Sequence, residues 1–195
     1  MKYILTVLLL AAALPLAAED VPTEPIKPAD FKGNAIMCEG TYALCIKAQC
    51  ESDVSANNQV RCKCLVVDGW SMGPNSCMDR TNNLTSTYSN LLNARSKILS
   101  CPQPIAWAWC YGASCEKDPK DPSGKTAICR CPVVNSQAVI LVTESECSDS
   151  SVCSPTEMWS AAAPGESKFA NEYFYWWMTK NERKAEKPAA ECATQ

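Results

Sequence analysis

Two cysteine pairs, each separated by one residue, are the positions of this 195-residue chain best suited to chemistry: Cys62-Lys63-Cys64 in "QVRCKC" and Cys129-Arg130-Cys131 in "AICRC". Three chemistries use such a pair. As thiolates the sulfurs are ligands for copper(I) or zinc. As a dithiol they exchange electrons with a partner. As half-cystines they staple the chain. Residues i and i+2 of a strand project from the same face, so each sulfur of a pair meets a separate neighbour. A bridge within the pair would violate disulfide geometry. No CxxC knuckle occurs anywhere, which weighs against a zinc-knuckle site and against a thioredoxin-like redox site.

Other reactive groups are sparse. The chain contains no histidine, which removes the commonest general base, the Ser-His-Asp and Cys-His arrangements and the usual ligands of catalytic zinc. It also contains no P-loop and no GxGxxG stretch, so no nucleotide cofactor is expected. An enzyme built from this sequence would need a carboxylate pair, as in a carboxylate-based hydrolase, or a lysine base. Glu144 with Glu146 and Asp118 with Asp121 are the candidates, and both pairs read as solvated loop charges. No catalytic residue, cofactor or metal site is assigned.

The cysteines of the two pairs belong to longer sets. The first is Cys38, Cys45, Cys50, Cys62, Cys64 and Cys77; the second is Cys101, Cys110, Cys115, Cys129, Cys131 and Cys147. The intervening gaps are 6, 4, 11, 1 and 12 residues in the first and 8, 4, 13, 1 and 15 in the second. "RCKCLVV" matches "ICRCPVV", and "ALCIKAQCE" matches "AWCYGASCE". Together these read as an internal duplication of a six-cysteine unit. Cys153 and Cys192 are left over, and pairing them would tie the tail over the second unit. With fourteen cysteines, an even number, the framework reading dominates. A unit of this size buries too little surface to be stable without staples.

In the second unit Asp118, Pro119, Asp121, Pro122, Ser123 and Gly124 are turn formers. They lie between an arm ending near Glu116 and a β-prone arm over 126–134, which predicts a hairpin. The first unit resembles epidermal growth factor-like modules, through the CxC followed by Gly69-Trp70 and Gly73 in "CKCLVVDGWSMGPNSC". Its last loop is longer than theirs, and the second unit lacks the Gly-aromatic pair. The chain as a whole resembles a family of exported bacterial cysteine-rich proteins, on "LTSTYSN" at 84–90, the run at 101–131 and the cysteine order. That resemblance implies no activity and no functional residues.

The opening residues, "MKYILTVLLLAAALPLAAED", place Lys2 before an apolar stretch and small residues near Ala18, which predicts a secretory signal peptide over 1–18. A periplasmic or secreted location follows, and no later segment is apolar enough to span a bilayer. In a eukaryotic host the sequon Asn83-Leu84-Thr85 would carry sugar. Loss of Lys2 with the signal takes the formal net charge from −3 to −4, without the basic face of a nucleic-acid-binding protein.

The expected fold is a small, disulfide-rich, mixed α+β protein. A proline-rich leader covers 19–35, the first unit 36–79, a connecting helix 80–99, the second unit 100–149 and a helical segment with tail 150–195. The connecting helix rests on Leu84, Tyr88, Leu91, Leu92, Arg95, Ile98 and Leu99 at helical spacing, with Asn82 or Asn83 as its cap. In the C-terminal helix Phe169, Tyr173 and Trp176 or Trp177 share a face. The consecutive aromatics from Tyr173 to Trp177 exceed what one face holds, and suit a core lid, a glycan or protein platform, or a membrane-interface anchor.

The resulting expectation is a non-catalytic binding or interaction protein of the envelope or the exterior, with a protein, a glycan or a second copy as partner. Its candidate contacts are Trp70, Trp107, Trp109, Tyr111, Trp176 and Trp177. The alternative is a periplasmic copper or zinc thiolate protein. Intact mass decides between them: seven bridges lower the mass by about 14 units relative to the all-thiol chain and leave nothing to alkylate. Several alkylatable cysteines, foremost Cys62, Cys64, Cys129 and Cys131, would favour the metal reading.

Overall fold

The computed structural model describes residues 35–53, 57–154 and 156–193. The expected signal peptide over 1–18 and the expected leader up to residue 34 lie outside the described residues. Two strands organise the rest. In β3 (Gln59–Gly73) Val60, Cys62 and Cys64 point inward while Arg61, Lys63 and Leu65 are exposed. In β7 (Thr126–Ser136) Ala127, Cys129 and Cys131 are the inward set. The period-2 alternation leaves one register that buries both faces. The strands pair antiparallel from Gln59 opposite Pro132 to Leu65 opposite Thr126, with Cys62 opposite Cys129.

Each of these strands also carries a bulged partner. β1 (Ile36–Leu44) ends with Leu44 opposite Leu65, and β2 (Gln49–Ser52) resumes with Cys50 opposite Cys62. Residues 45–49 therefore face only 63–64, and the chain must bulge. β5 (Ile105–Ala108) ends with Ala108 opposite Val133, and β6 (Cys115–Lys117) resumes with Cys115 opposite Cys129. Both bulges turn through a left-handed residue at matching places in "CIKAQC" and "CYGASC": Lys47 at φ 46° and Gly112 at φ 77°. β9 (Met158–Trp159) joins the outer side of β2. Ser160 fastens the first bulge, accepting from the Ala48 N–H at 2.7 Å and donating to the Cys45 carbonyl at 2.9 Å.

Bridges flank each bulge. Cys45–Cys64 and Cys50–Cys62 hold the first; Cys110–Cys131 and Cys115–Cys129 hold the second. The members of each CxC pair thus reach separate neighbours, as strand geometry requires. Cys38–Cys77 and Cys101–Cys153 close wider loops, and Cys147–Cys192 anchors the tail. The two leftover cysteines do not pair with each other: Cys153 takes the place relative to Cys101 that Cys77 has relative to Cys38, and Cys192 bonds Cys147. In the chain-entropy account a loop of these sizes is worth about 3–4 kcal/mol per bridge.

The connecting helix is also corrected. The chain forms only a short α1 (Cys77–Asn82), capped at its start by Ser76, and a 3-10 turn at Asn93–Arg95. Asn83, expected as a starting cap, is instead the end cap of α1. Residues 84–88 run extended between the hairpins. Ala43 donates to the Thr85 carbonyl and accepts from Thr87, Ser86 donates to the Ala113 carbonyl and accepts from Gly112, and Tyr88 exchanges two bonds with Met72. Backbone partners on both sides outweigh the helical spacing of the apolar residues, and Thr85, Ser86 and Thr87 are poor helix formers. Leu91, expected in a buried stripe, is 52% exposed. Ile98 and Leu99 lie in β4 (Lys97–Ser100), sandwiched between β8 (Val139–Val142) and β10 (Ala190–Glu191) in a second, three-stranded sheet.

The C-terminal helix forms as α2 (Pro164–Lys180), with Pro164 preset for its first turn. Its Phe169, Phe174 and Met178 are buried against Met72, with Trp70 and Tyr88 alongside. The protein is therefore small, disulfide-rich and mostly sheet, with two helices among the described residues. Neither is long and apolar enough to cross a membrane. Arg80 locks the far end of the β1/β3 hairpin. Its guanidinium donates to the carbonyls of Asn75, Ser71, Ile36 and Gly73 and to the Ser71 hydroxyl, so a buried cation is satisfied without a carboxylate.

The second bulge sits hard against the first hairpin: a Cβ on Gly112 would lie 2.5 Å from Pro74 Cγ. Gly112→Ala should cost about 1–3 kcal/mol beyond the left-handed backbone cost. Gly124, at φ 66° with open space around it, supplies the control: Gly124→Ala should cost only the backbone term of about 1 kcal/mol. Denaturant midpoints of the two variants measure the difference.

Candidate functional site: the cleft between the hairpins

The two bulges and the strand that threads between them leave a cleft of about 120 Å³, open to solvent on one side. The first bulge contributes Leu44 to Lys47, the second Trp109 to Tyr111 and the threading strand Ser86 to Tyr88. Ile98 and Val139 to Leu141 of the small sheet form another wall, and the approach to α2 with its first two turns forms the last. The walls are mainly aliphatic and aromatic. Their polar groups converge from separate elements, which is the usual composition of a ligand site.

A hydrogen-bonded network sets the wall at α2. Asn171 is buried, accepts from the Tyr88 hydroxyl at 2.7 Å and from Asn93 Nδ2 at 2.8 Å, and donates to the Ser167 carbonyl at 2.8 Å. On the threading strand the Thr87 hydroxyl is buried without a protein partner. Burial raises the Tyr111 phenol well above its ordinary range; Arg80 opposes the shift and Glu166 adds to it. The phenol therefore stays protonated and neutral, a donor and not a base.

Lys47 enters from the left-handed position of the first bulge. Its ammonium pairs with Glu146 and lies over the Trp159 ring, 5.5 Å from the centroid. Glu146 also accepts from the Thr143 backbone N–H at 2.8 Å and from its hydroxyl at 2.9 Å. The Lys47 hydrogen bond, followed by the Thr143 N–H, lowers the Glu146 carboxyl to about 2. The pair fixes the rim of the cleft to the 3-10 turn Glu144–Ser148.

The six candidate aromatics separate into three places. Trp109 and Tyr111 line the cleft. Trp107 is 2% exposed and packs in the core with Ile140 and Val152, its indole N–H donating to Ser136 Oγ at 3.2 Å, so it has no surface to offer a partner. Trp70, Trp176 and Trp177 are half-buried along α2. Trp70 meets Trp177 at 5.0 Å and lies under Arg183, while Trp176 stacks near Tyr173 and carries Lys180 at 4.7 Å. Five aromatics in a row are accommodated because Phe174 faces the core and the others lie around the flanks of the helix.

All fourteen cysteines are in bridges. The sulfurs of Cys45, Cys64 and Cys129 lie within 4.8 Å of one another, as do those of Cys62, Cys110 and Cys131. Every one of these six is bonded to another sulfur, and a half-cystine is not a thiolate ligand. The carboxylates are also engaged: Glu144 pairs with Lys97 at 3.0 Å, and Asp121 accepts from Ser123, Lys125 and Thr126 within its own turn. Asp118, expected to be a solvated loop charge, is buried, accepting from the Lys120 N–H at 2.9 Å with Lys63 at 3.5 Å.

No family model, curated protein or solved structure matches the chain. The cleft and the disulfide-stapled sheet around it are accordingly read from their own geometry. Lys47, Thr87, Asn171 and Glu166 were not singled out from the sequence. Only Lys47 had a signal there, its alignment with Gly112.

The Lys47–Glu146 pair gives an acid limb with a definite sign. The carboxyl's folded value of about 2 lies below its ordinary 4.5, so the unfolded chain takes up the proton first. The stabilisation is complete above pH 4.5 and is lost as pH falls towards 2. Glu146→Gln should lower stability at pH 7 and differ little from the native chain near pH 2, measured by denaturant midpoints at both.

Proposed function

We propose that this chain is an exported, disulfide-stapled, non-catalytic binding protein of the cell envelope or the exterior, built from two copies of one six-cysteine hairpin unit. The cleft between the copies is its ligand site. The reading is supported by the signal-like first 18 residues, by fourteen cysteines in an even framework, and by the matching sequence around both bulges. The observation that carries the site is the cleft itself, whose mainly apolar walls include Trp109 and Tyr111.

Its size favours a small molecule, or a single apolar group of a larger one. An engineered cavity of about 150 Å³ admits benzene, and this cleft is of similar volume. The glycan or protein platform along α2 fits less well, because Trp70 already meets Trp177 and Arg183, and Trp176 meets Tyr173 and Lys180.

Toluene titrated into the oxidised protein, followed through the tryptophan indole N–H resonances, tests the reading. Trp109 should shift and Trp107 should not, and Ala162→Leu, which adds bulk to the cleft wall, should abolish the shift. Shifts confined to Trp70, Trp176 and Trp177 would move the site to α2, and no shift at any tryptophan would end the proposal.

A further inference from the structure

We infer that each six-cysteine unit, with the strand that follows it, is an association module whose partner is another unit of its own kind, and that the chain is one such pair joined by a linker. The inference rests on the reading of two copies of one unit, and it does not need the cleft to hold a ligand. The three bridges within residues 38–77 and the four within residues 101–192 stay on their own sides of the linker. Only the linker and noncovalent contacts join the units. In the β3/β7 ladder Cys62 faces its counterpart Cys129, and Val60 faces Cys131 as Ala127 faces Cys64. Exchanging the units leaves that register unchanged, which defines an isologous contact.

The strands after the units repeat the relation bond for bond. In the first arm, residues 84–88, the Ser86 N–H donates to the Ala113 carbonyl at 2.8 Å and the Thr87 N–H to the Ala43 carbonyl at 3.1 Å. In the second arm, residues 158–162, the Ser160 N–H donates to the Ala48 carbonyl at 2.9 Å and the Ala161 N–H to the Ala108 carbonyl at 3.2 Å. Ala113 and Ala48 hold the same place in "CYGASC" and "CIKAQC", and Ala43 and Ala108 the same place before Cys45 and Cys110. Tyr88 then exchanges two bonds with Met72, as Ala162 does with Val139. Each arm thus has one edge on its own unit and the other on its neighbour's bulge. A bulge leaves backbone groups outside the ladder, and buried backbone groups need partners. Neither unit is complete without the arm of the other.

The linker turns through Ala94 and Arg95, both exposed, and a protease site inserted between them lets the oxidised full chain be cut without touching a bridge. The nicked units should stay together as a 1:1 complex in non-reducing size exclusion. Parted in denaturant and returned to buffer together, they should recover that complex. Two amide hydrogens report on the arms, since Ala48 N–H donates to Ser160 Oγ and Gly112 N–H to the Ser86 carbonyl. Both should be protected from exchange in the complex and lose that protection when the units are refolded apart. Separate elution of the nicked units, failure of the pair to reassemble, or a protected Ala48 in the first unit alone overturns the inference. If the insertion prevents folding, the uncut native chain decides. Exchange at Ala48 and Gly112 under rising denaturant should converge on one opening event shared by both units, and two separate events overturn the inference. Toluene binding at Trp109 is read independently of these results, so the ligand site and the association of the units can fail separately.

Discussion

The pairing of β3 with β7 is the constraint from which the rest of the molecule follows. With Cys62 opposite Cys129, the inward faces of two cysteine-bearing strands share one register, and Cys50 and Cys115 extend the row on either side. A slip of one residue would turn every cysteine of a strand to solvent. The bridges then hold the bulged partners to these strands, so that sulfur fills much of a core containing few large aliphatic side chains. This is how a chain with little apolar volume in its central sheet obtains a fixed arrangement.

The bulges are where that frame becomes a site. Equal offsets of the bridges on both strands put Lys47 and Gly112 at matching left-handed turns. What differs is the side chain. Gly112 permits the second bulge to press on Pro74, whereas Lys47 reaches out to Glu146 and Trp159. The threading strand bonds to Ala43 near the end of β1 through Thr85 and Thr87 and to the second bulge through Ser86, and α2 closes the remaining side through Asn171. The cleft is thus a product of both bulges, the threading strand, the small sheet and the approach to α2, segments distant in sequence.

The aromatic helix shows how neighbours change the meaning of a composition. Its hydrophobic residues surround the helix, which in isolation suits a platform or a membrane surface as well as a lid. Packing on Met72 consumes Phe169, Phe174 and Met178, and cations from the same stretch of chain cover parts of Trp70 and Trp176. The outer aromatics lie around the flanks of the helix, already in contact with one another or with these cations.

Composition and spacing determined the stapled character of the protein, the hairpin at Cys115–Lys117 and Thr126–Ser136, the outward division of labour within each CxC pair and the helix after Pro164. These depend on local rules: the period of a strand, the chemistry of turns, the geometry of a disulfide. The partners of Cys147, Cys153 and Cys192 were not legible, because pairing depends on which segments become neighbours and spacing does not specify that. Nor was the path of residues 84–92, where backbone bonds to both hairpins override a helical pattern. Trp107 and Trp109 are two residues apart on paper, yet one is core and the other lines the cleft, since β5 ends between them at Ala108 and the bulge begins. The site itself was decided only by tertiary structure, for a cleft exists where surfaces from distant segments fail to meet.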